Sequence, residues 1–398
     1  MEKSQTNLKA EKYVFDKRLY IIFLIIFTEV LGFSIVLPVI PFLGLELGLT
    51  ALEIGLIASV FSFCQLFASP ITGKLSDRFG RKPLLIFSQI STLAGFLLLG
   101  FATTAILLLL ARIIDGALGS NMTISQAYIS DITKPEHRTR VFGYTSGVFG
   151  GALIFGPFIG GVLSGINFSV PMFFAAGITL VSIILVVFFL PETIAKKPDM
   201  ISLRFDDILP IKETIQFAKI RQARNSLLMF FVYNLGFFLL ISNFALFVES
   251  QFNVDASQAG LYLAWLGLIR VVIQTFFIAR ILRSISEWNM LRTGIIAIII
   301  SMVGFAFSQE YLFVFVPLLF LSYGSGVIRP VLMSKLTNST TKNQTATILG
   351  VNNSLTSIAQ IITPIAGGFI IQYMSPQIIP TISILVFLIL LSISQIKD

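Results

Sequence analysis

Long apolar blocks dominate the sequence, and each is about as long as a helix that crosses a membrane. Of the 398 residues, 55% are hydrophobic and only 12% are charged, whereas soluble domains carry about a quarter charged residues. A helix needs about 20 apolar residues to cross the hydrocarbon core. The blocks lack the two-residue alternation of a barrel strand, so backbone hydrogen bonds must be made within helices. The sequence therefore predicts an all-α membrane protein.

Twelve such blocks are present, and each is predicted to form one transmembrane helix. The first follows a polar, basic segment and lacks a small-residue cleavage site, so it is predicted to be retained rather than removed as a signal peptide. The predicted spans are 19–43, 53–73, 84–102, 105–129, 143–164, 170–190, 225–248, 257–279, 291–308, 311–334, 346–373 and 376–395. The polar segments give four parts, namely an N-terminal segment 1–18, a six-helix bundle 19–191, a linker 192–224 and a second six-helix bundle 225–398.

Basic residues lie almost entirely on one side of the predicted helices. Assigning alternate loops to the same side places 25 of the 28 Lys and Arg residues there. The loops of the other side contain acidic residues and no basic ones; the acids are Glu46, Glu53, Glu249, Asp255 and Glu310. Because basic flanks stay in the cytoplasm, both termini are predicted to be cytoplasmic. The net charge of +8 then mostly reflects topology and is only weak evidence for nucleic-acid binding, so no nucleic-acid partner is expected.

Glycine and proline recur between the two halves at one offset of 207 residues. The matched pairs are Gly119 and Gly326, Gly143 and Gly350, Pro157 and Pro364, Gly160 and Gly367, and Gly161 and Gly368. An internal repeat of this kind predicts two pseudosymmetric six-helix bundles. Transporters built from such repeats place their substrate cavity between the halves, near the middle of the membrane.

A polar motif with regularly placed glycines follows the second block, in residues 73–82, which read GKLSDRFGRK. Glycines permit a tight turn, and the Asp77 carboxylate can lie against a helix N-terminus or against nearby arginines. Such a contact would hold the cytoplasmic side in one conformation. The predicted conformational latch consists of Gly73, Asp77, Arg78, Gly80 and Arg81.

The fifth block is rich in glycine. Glycines four residues apart leave one helix face without side chains, so that another helix can approach closely. A proline in the same block, Pro157, can bend the helix where the two halves meet. The residues predicted to serve this close approach are Gly156, Pro157, Gly160 and Gly161.

Only two acidic residues, Glu29 and Asp115, lie deep in predicted spans, where a charge costs several kcal/mol unless it is paired, protonated or hydrated. Burial favours a protonated carboxyl group and a nearby cation favours an ionised one, so these groups could bind and release protons. We expect Glu29 to bind protons and cations and Asp115 to be a second titrating group. The alternative for Asp115 is a static ion pair with Arg112. The stripe of the fourth span predicted to face the cavity contains Arg112, Asp115, Gly119, Met122 and Gln126.

The buried charges of the second half are basic, at Arg270 and Arg329. They can balance the acids of the first half across the cavity, or Arg329 can bind carbonyl groups where Pro330 interrupts the helix. Polar side chains in the seventh and eleventh spans can contact a substrate or support helix packing. The predicted cavity residues are Tyr233, Asn234, Arg270 and Asn352.

Several motifs resemble those of the major facilitator superfamily. Residues 73–82 are similar to its signature between the second and third helices, and residues 190–193 (LPET) are similar to the end of its sixth helix. Residues 156–161 (GPFIGG) resemble the motif of its antiporter branches. In the second half, the loop with Arg280 and Arg283 keeps only the basic charge of the first signature.

Two further segments resemble tetracycline and multidrug efflux proteins of the twelve-span drug:proton antiporter group. In residues 28–33, Glu29 precedes a glycine, and a P-x-x-P pair follows at Pro38 and Pro41. Residues 112–116 are similar to the R-x-x-x-G motif of the fourth helix. The resemblance implies the major facilitator fold and a proton-coupled exporter of small hydrophobic or cationic drug-like compounds that works by alternating access.

Nothing in the sequence indicates catalysis, since no phosphate-binding loop and no Cys/His metal spacing is present. We therefore expect a transporter without a cofactor, driven by a proton gradient in the cytoplasmic (inner) membrane. Its expected partners are a small-molecule substrate, protons and the lipid bilayer, and a monomer is expected to suffice. The alternatives are a uniporter or proton symporter for a small metabolite, and a non-transporting membrane sensor.

Overall fold

The computed structural model describes residues 16–194, 210–277, 285–341 and 344–395, and within these ranges it contains helices and no strands. The helices are α1 (Arg18–Glu46), α2 (Ala51–Phe79), α3 (Arg81–Gly100), α4 (Ala105–Leu118), α5 (Asn121–Ile132), α6 (Pro135–Ser164), α7 (Ser169–Phe189), α8 (Ile211–Lys219), α9 (Arg221–Ile241), α10 (Phe244–Phe252), α11 (Ala256–Val272), α12 (Glu287–Phe307), α13 (Phe315–Asn338), α14 (Thr345–Tyr373) and α15 (Ile378–Ile393). A π-helical turn, Ile273–Phe277, continues α11, and a 3₁₀ turn, Tyr311–Val314, precedes α13.

The predicted all-helical membrane fold is confirmed. Eleven helical segments of the described chain are long and apolar enough to cross a membrane. The last predicted span corresponds to α15, whose 16 residues reach about 24 Å at 1.5 Å per residue. We call the end of the bundle that holds residues 73–82 the basic end, and the end that holds residues 46–53 the acidic end.

Two predicted spans are interrupted rather than continuous. The fourth breaks between α4 and α5, where Gly119 has non-helical backbone angles (φ −79°, ψ 86°), and the seventh breaks between α9 and α10. Side chains from other helices bond the backbone groups at the first break. The N–H of Ser120 donates to the hydroxyl of Ser88 (2.6 Å), and the amide of Gln65 donates to the carbonyl of Gly119 (3.4 Å). The predicted stripe from Arg112 to Gln126 is therefore not continuous, because the helix is interrupted at Gly119 and Ser120.

The polar motif after the second span is mostly helical, which corrects the prediction of a loop that starts at Gly73. Helix α2 continues to Phe79, so Gly73 lies inside a helix and supplies no turn. Gly80 makes the turn into α3 with a positive φ of 106°, which L side chains rarely adopt.

Each half of the chain has its own apolar core. One core is built from residues between Leu19 and Leu190, and the other from residues between Phe217 and Leu390 with the addition of Phe42. The connecting residues 195–209 lie outside the described residues, as do residues 1–15 and the predicted basic loop residues Arg280 and Arg283.

Equivalent contacts in the two halves support the internal repeat. In the first half, the Gln65 amide on α2 donates to the carbonyl of Gly119 (3.4 Å). In the second half, the Gln274 amide after α11 donates to the carbonyl of Gly326 (3.2 Å). Gly119 and Gly326 are a pair at the 207-residue offset. The two glutamines are 209 residues apart, so the glycine carbonyls match at the offset while their donors are shifted by two positions.

Glycines hold the two halves together at the acidic end. A methyl group on Gly161 of α6 would lie 2.9 Å from the Cα of Gly260 on α11. In the equivalent crossing, a methyl group on Gly368 of α14 would collide with the carbonyl oxygen of Ala51 on α2. Because backbone faces backbone at both crossings, only hydrogen fits at these positions.

Toward the basic end, several glycines of the same helices lack such tight contacts with the described residues. Methyl groups on glycines of α6 and α14 there would meet no other described residue within 4 Å; these are Gly143, Gly147, Gly151 and Gly350. Among the described residues, the tight glycine crossings between the halves therefore lie at the acidic end.

Candidate functional site

Glu29 lies in the middle of α1 and is bonded by a side chain from the interrupted fourth span. Asn121, the first residue of α5, donates from Nδ2 to Glu29 Oε2 (2.7 Å) and to the hydroxyl of Thr92 on α3 (3.1 Å). Asn121 and Thr92 are buried, while Glu29 stays partly exposed. The helix break thus places an amide donor against a carboxyl group that water or a solute can still reach.

Asp115 lies near this group and is paired with Arg112. Asp115 Oδ2 is 3.5 Å from Arg112 Nη2, and both side chains are less than a tenth exposed. The hydroxyl of Thr92 also lies close enough to the Asp115 carboxylate to interact with it. Glu29, Asn121, Thr92 and Asp115 therefore form a continuous polar chain, which we call the carboxyl chain.

The Arg112 guanidinium is held loosely for a buried cation. Its Nε and Nη2 have no hydrogen-bond partner among the described residues. The guanidinium carbon lies 5.4 Å from the centre of the Phe61 ring, within range of a cation–π contact. Removal of the Asp115 charge would therefore leave the buried positive charge of Arg112 with little besides the Phe61 ring to stabilise it.

Two glycines, which have no side chain, make room for the side chain of Asp115. A methyl group on Gly95 would lie 2.9 Å from Asp115 Cβ, and one on Gly119 would lie 2.8 Å from Asp115 Oδ1. Neither Asn121 nor Thr92 belongs to the predicted site. The signal that could have found Asn121 is an amide directly after Gly-Ser in an apolar span.

The other predicted cavity residues do not join the carboxyl chain. Gln126 of α5 is exposed. Asn234 is buried and donates to the Thr356 hydroxyl inside the second half (2.9 Å). Asn352 is buried, and its Oδ1 has no hydrogen-bond partner among the described residues. Tyr233 lies in the second half, as does Arg270.

Arg81 is the centre of the predicted latch. Its Nη2 is 2.5 Å from Asp77 Oδ1 and its Nε is 3.0 Å from Asp131 Oδ2 at the end of α5. Its Nη1 also donates to the hydroxyl of Ser76 (2.5 Å). Arg78 is not part of these contacts, and its guanidinium lies over the ring of Phe79. The latch therefore joins α2, α3 and α5, and Asp131 is a member that the motif alone did not identify.

Glu192 caps the first turn of α3. Its carboxylate accepts the backbone N–H groups of Arg81 (2.9 Å) and Lys82 (3.1 Å), and also those of Thr193 and Ile194. Burial raises the pKa of Glu192, but the four N–H donors outweigh burial, so the pKa lies below its usual range. A side chain on Gly80 would collide with this carboxylate.

Replacing Glu192 with Gln should lower thermal stability near neutral pH by about 2–4 °C, the shift expected for about 1 kcal/mol. The folded pKa of Glu192 is lowered, so its contribution is complete above the ordinary value of 4.5 and is lost as the pH falls through the folded value. Unfolding of the purified protein and the Glu192→Gln variant should therefore converge below about pH 4.5. Glu46→Gln, at the acidic end, is the control. A difference that widens in acid would contradict this account.

The comparisons with known proteins agree on one family. The model of the Major Facilitator Superfamily matches residues 22–364. The chain is 30% identical over 363 residues to tetracycline resistance protein class H of Pasteurella multocida, covering 90% of each chain. It is 27% identical over 366 residues to multidrug resistance protein 2 of Bacillus subtilis, covering 89% of each. The crystal structure of the human organic anion transporter MFSD10 matches with a TM-score of 0.72 and 21% identity, over 95% of this chain and 99% of that one.

Proposed function

This chain belongs to the Major Facilitator Superfamily, and from that membership we propose that it is a proton-coupled exporter of small hydrophobic or cationic drug-like compounds. The chain is a multi-pass membrane transporter and not an enzyme. The drug-resistance names of its relatives support export of drug-like compounds. The observation that carries proton coupling is Glu29, a partly exposed carboxyl group in the middle of a membrane helix.

The carboxyl chain offers a way to link proton binding to helix movement. An ionised Glu29 accepts a hydrogen bond from Asn121 Nδ2. A protonated Glu29 can itself donate, and the acceptor available is Asn121 Oδ1, which is buried and has no partner among the described residues. Rotation of the amide would then change its bond to Thr92, and through Thr92 the environment of Asp115. Protonation of Glu29 on α1 would thus change the contacts at the break between α4 and α5.

In an alternating-access cycle, the closed end of the bundle opens and the open end closes. The two glycine crossings are tight at the acidic end, and we infer that the basic end is the open one in this state. If the basic end faces the cytoplasm, as the charge distribution predicts, the described state receives substrate from inside the cell. Proton binding from outside would then drive the return step. A monomer with a proton gradient suffices for this cycle, and no cofactor is required.

Reconstitution of the full chain into liposomes tests the function directly. An imposed proton gradient should drive ethidium, a cationic probe, against its own gradient, and a trapped pH dye should report protons moving in the opposite direction. Liposomes without protein give the background. Protons moving in the same direction as the solute would indicate symport, ethidium flux unaffected by the proton gradient would indicate a uniporter, and absence of ethidium movement would indicate a protein that does not transport it; each result would refute the proposal.

A further inference from the structure

The second half carries two cations inside the membrane without counter-charges. Arg270 of α11 is partly exposed and Arg329 of α13 is exposed, and neither forms an ion pair with a described acid. The described acids of this half lie at the helix ends or in α8, at Glu213, Glu249, Asp255, Glu287 and Glu310. A charge at this depth requires an anion or water to stabilise it.

Helix packing brings the two arginines to one place. Helices α11 and α13 approach at Gly326, where a methyl group would lie 3.7 Å from Arg270 Cγ. Arg329 follows Gly326 by one helical turn, and the two guanidinium groups interact electrostatically. The Cγ of Arg270 thus lies beside α13, one helical turn from Arg329.

A buried phenol lies beside the arginines. Tyr233 of α9 is 2% exposed and interacts electrostatically with both Arg270 and Arg329. Its ring is stacked on Phe237 (5.7 Å between centroids) and packs against Phe387. The cluster therefore presents hydrogen-bond donors from three helices and contains no acidic residue.

The acids of the first half do not neutralise this cluster in the described state. Glu29 is instead bonded by Asn121, and Asp115 is paired with Arg112, both within the first half. The space between the halves is therefore acidic on one side and basic on the other. A molecule with both kinds of charge fits that arrangement better than a simple cation does.

We propose that Arg270, Arg329 and Tyr233 form a binding subsite for an anionic group, a carboxylate or sulfonate, on the transported molecule. The planar donors of guanidinium groups match the oxygens of such anions, and the phenol supplies one more donor. The basic or aromatic part of the solute would extend toward Glu29. This inference rests on the proposed function and adds to its substrates compounds that carry an anionic group beside their basic or aromatic part.

Two fluorescent probes that differ in charge test the subsite. Anilinonaphthalene sulfonate is anionic, and N-phenyl-1-naphthylamine is a neutral compound of the same aromatic type. Binding is measured to the full chain in phosphatidylcholine nanodiscs, with empty nanodiscs subtracted. Because a hydrogen bond to a charged group contributes about 1.5–3 kcal/mol, Arg270→Gln or Arg329→Gln should raise the Kd of the sulfonate about tenfold or more. The Kd of the neutral probe should change less than about twofold.

Further variants separate a charge effect from a structural one. Arg270→Lys should keep part of the sulfonate affinity, and Tyr233→Phe should lower it while leaving the ring contacts intact. Arg224→Gln removes an exposed cation at the start of α9 and should change neither Kd. An equal loss of affinity for both probes would overturn the subsite. An unchanged Kd for the sulfonate in both arginine variants would also overturn it.

A lipid phosphate is the competing source of the anion. If phosphatidylglycerol in the nanodiscs abolishes sulfonate binding through the same arginines, the cluster binds headgroups, and its assignment to the solute is overturned. Ethidium export by the wild-type chain is measured separately. That measurement tests the proposed function. The proposed export activity and the proposed subsite can therefore be refuted independently of each other.

Discussion

Replacing Glu29 with Gln should reduce proton-driven export to the level of membranes that lack the protein. The glutamine carbonyl can still accept from Asn121, so the contact that is 2.7 Å in the structure can persist. The side chain can no longer bind or release a proton, however, so uphill movement loses its driving force. Uphill ethidium flux is measured in proteoliposomes with an imposed pH gradient, and the amount of folded protein is measured in parallel.

The matched control is Glu53→Gln, because Glu53 is an exposed capping carboxylate at the acidic end. Its loss should leave uphill flux close to that of the wild type. Ordinary uphill export by Glu29→Gln would show that coupling resides elsewhere. For Asp115, an Asn substitution is combined with a measurement of protons released on ethidium addition. Unchanged release would assign Asp115 to the ion pair with Arg112 and remove it from the titrating groups.

Replacing Gly161 with Val should block the transport cycle by forcing the acidic end open. In the closed crossing, even a methyl group would lie 2.9 Å from Gly260 Cα and 3.0 Å from the carbonyl oxygen of Ser257. Backbone atoms cannot move aside as a side chain can, and overpacking of this kind costs about 1–3 kcal/mol. Such a cost would change the ratio of the two states by about 5- to 150-fold. Ethidium export should fall accordingly.

The direction of the change is measured by labelling at the crossing. The single native cysteine, Cys64, is replaced by Ala, and Ser257→Cys then supplies a reporter next to Gly161. Maleimide added from the acidic side should react faster in the Gly161→Val background. Gly177→Val is the control, because Gly177 lies exposed on α7 and a methyl group there meets no described residue within 4 Å. Normal export by Gly161→Val would show that this crossing does not need to be tight.

Several features of the site depend on contacts that no local pattern reveals. The Arg81–Asp131 pair joins residues 50 positions apart, and the Asn121–Glu29 bond joins residues 92 apart. The break after Gly119 lies in an otherwise apolar span and is supported by side chains from α2 and α3. Sequence patterns predicted Glu29, Asp115 and Arg112 because ionisable residues are rare inside apolar spans. Their partners Asn121 and Thr92 are ordinary polar residues and carry no such signal.

The sequence by itself determined the helical class, the positions of the spans and the division into two related halves. The physical reason is that a backbone in lipid must satisfy its own hydrogen bonds, so an apolar block of sufficient length can only be a helix. The tertiary structure alone decided where helices break, which side chains meet, and which end is closed. The two conformational states of a transporter have the same sequence, so sequence patterns cannot tell them apart. The difference between the states lies in how glycine faces such as those of Gly161 and Gly260 pack.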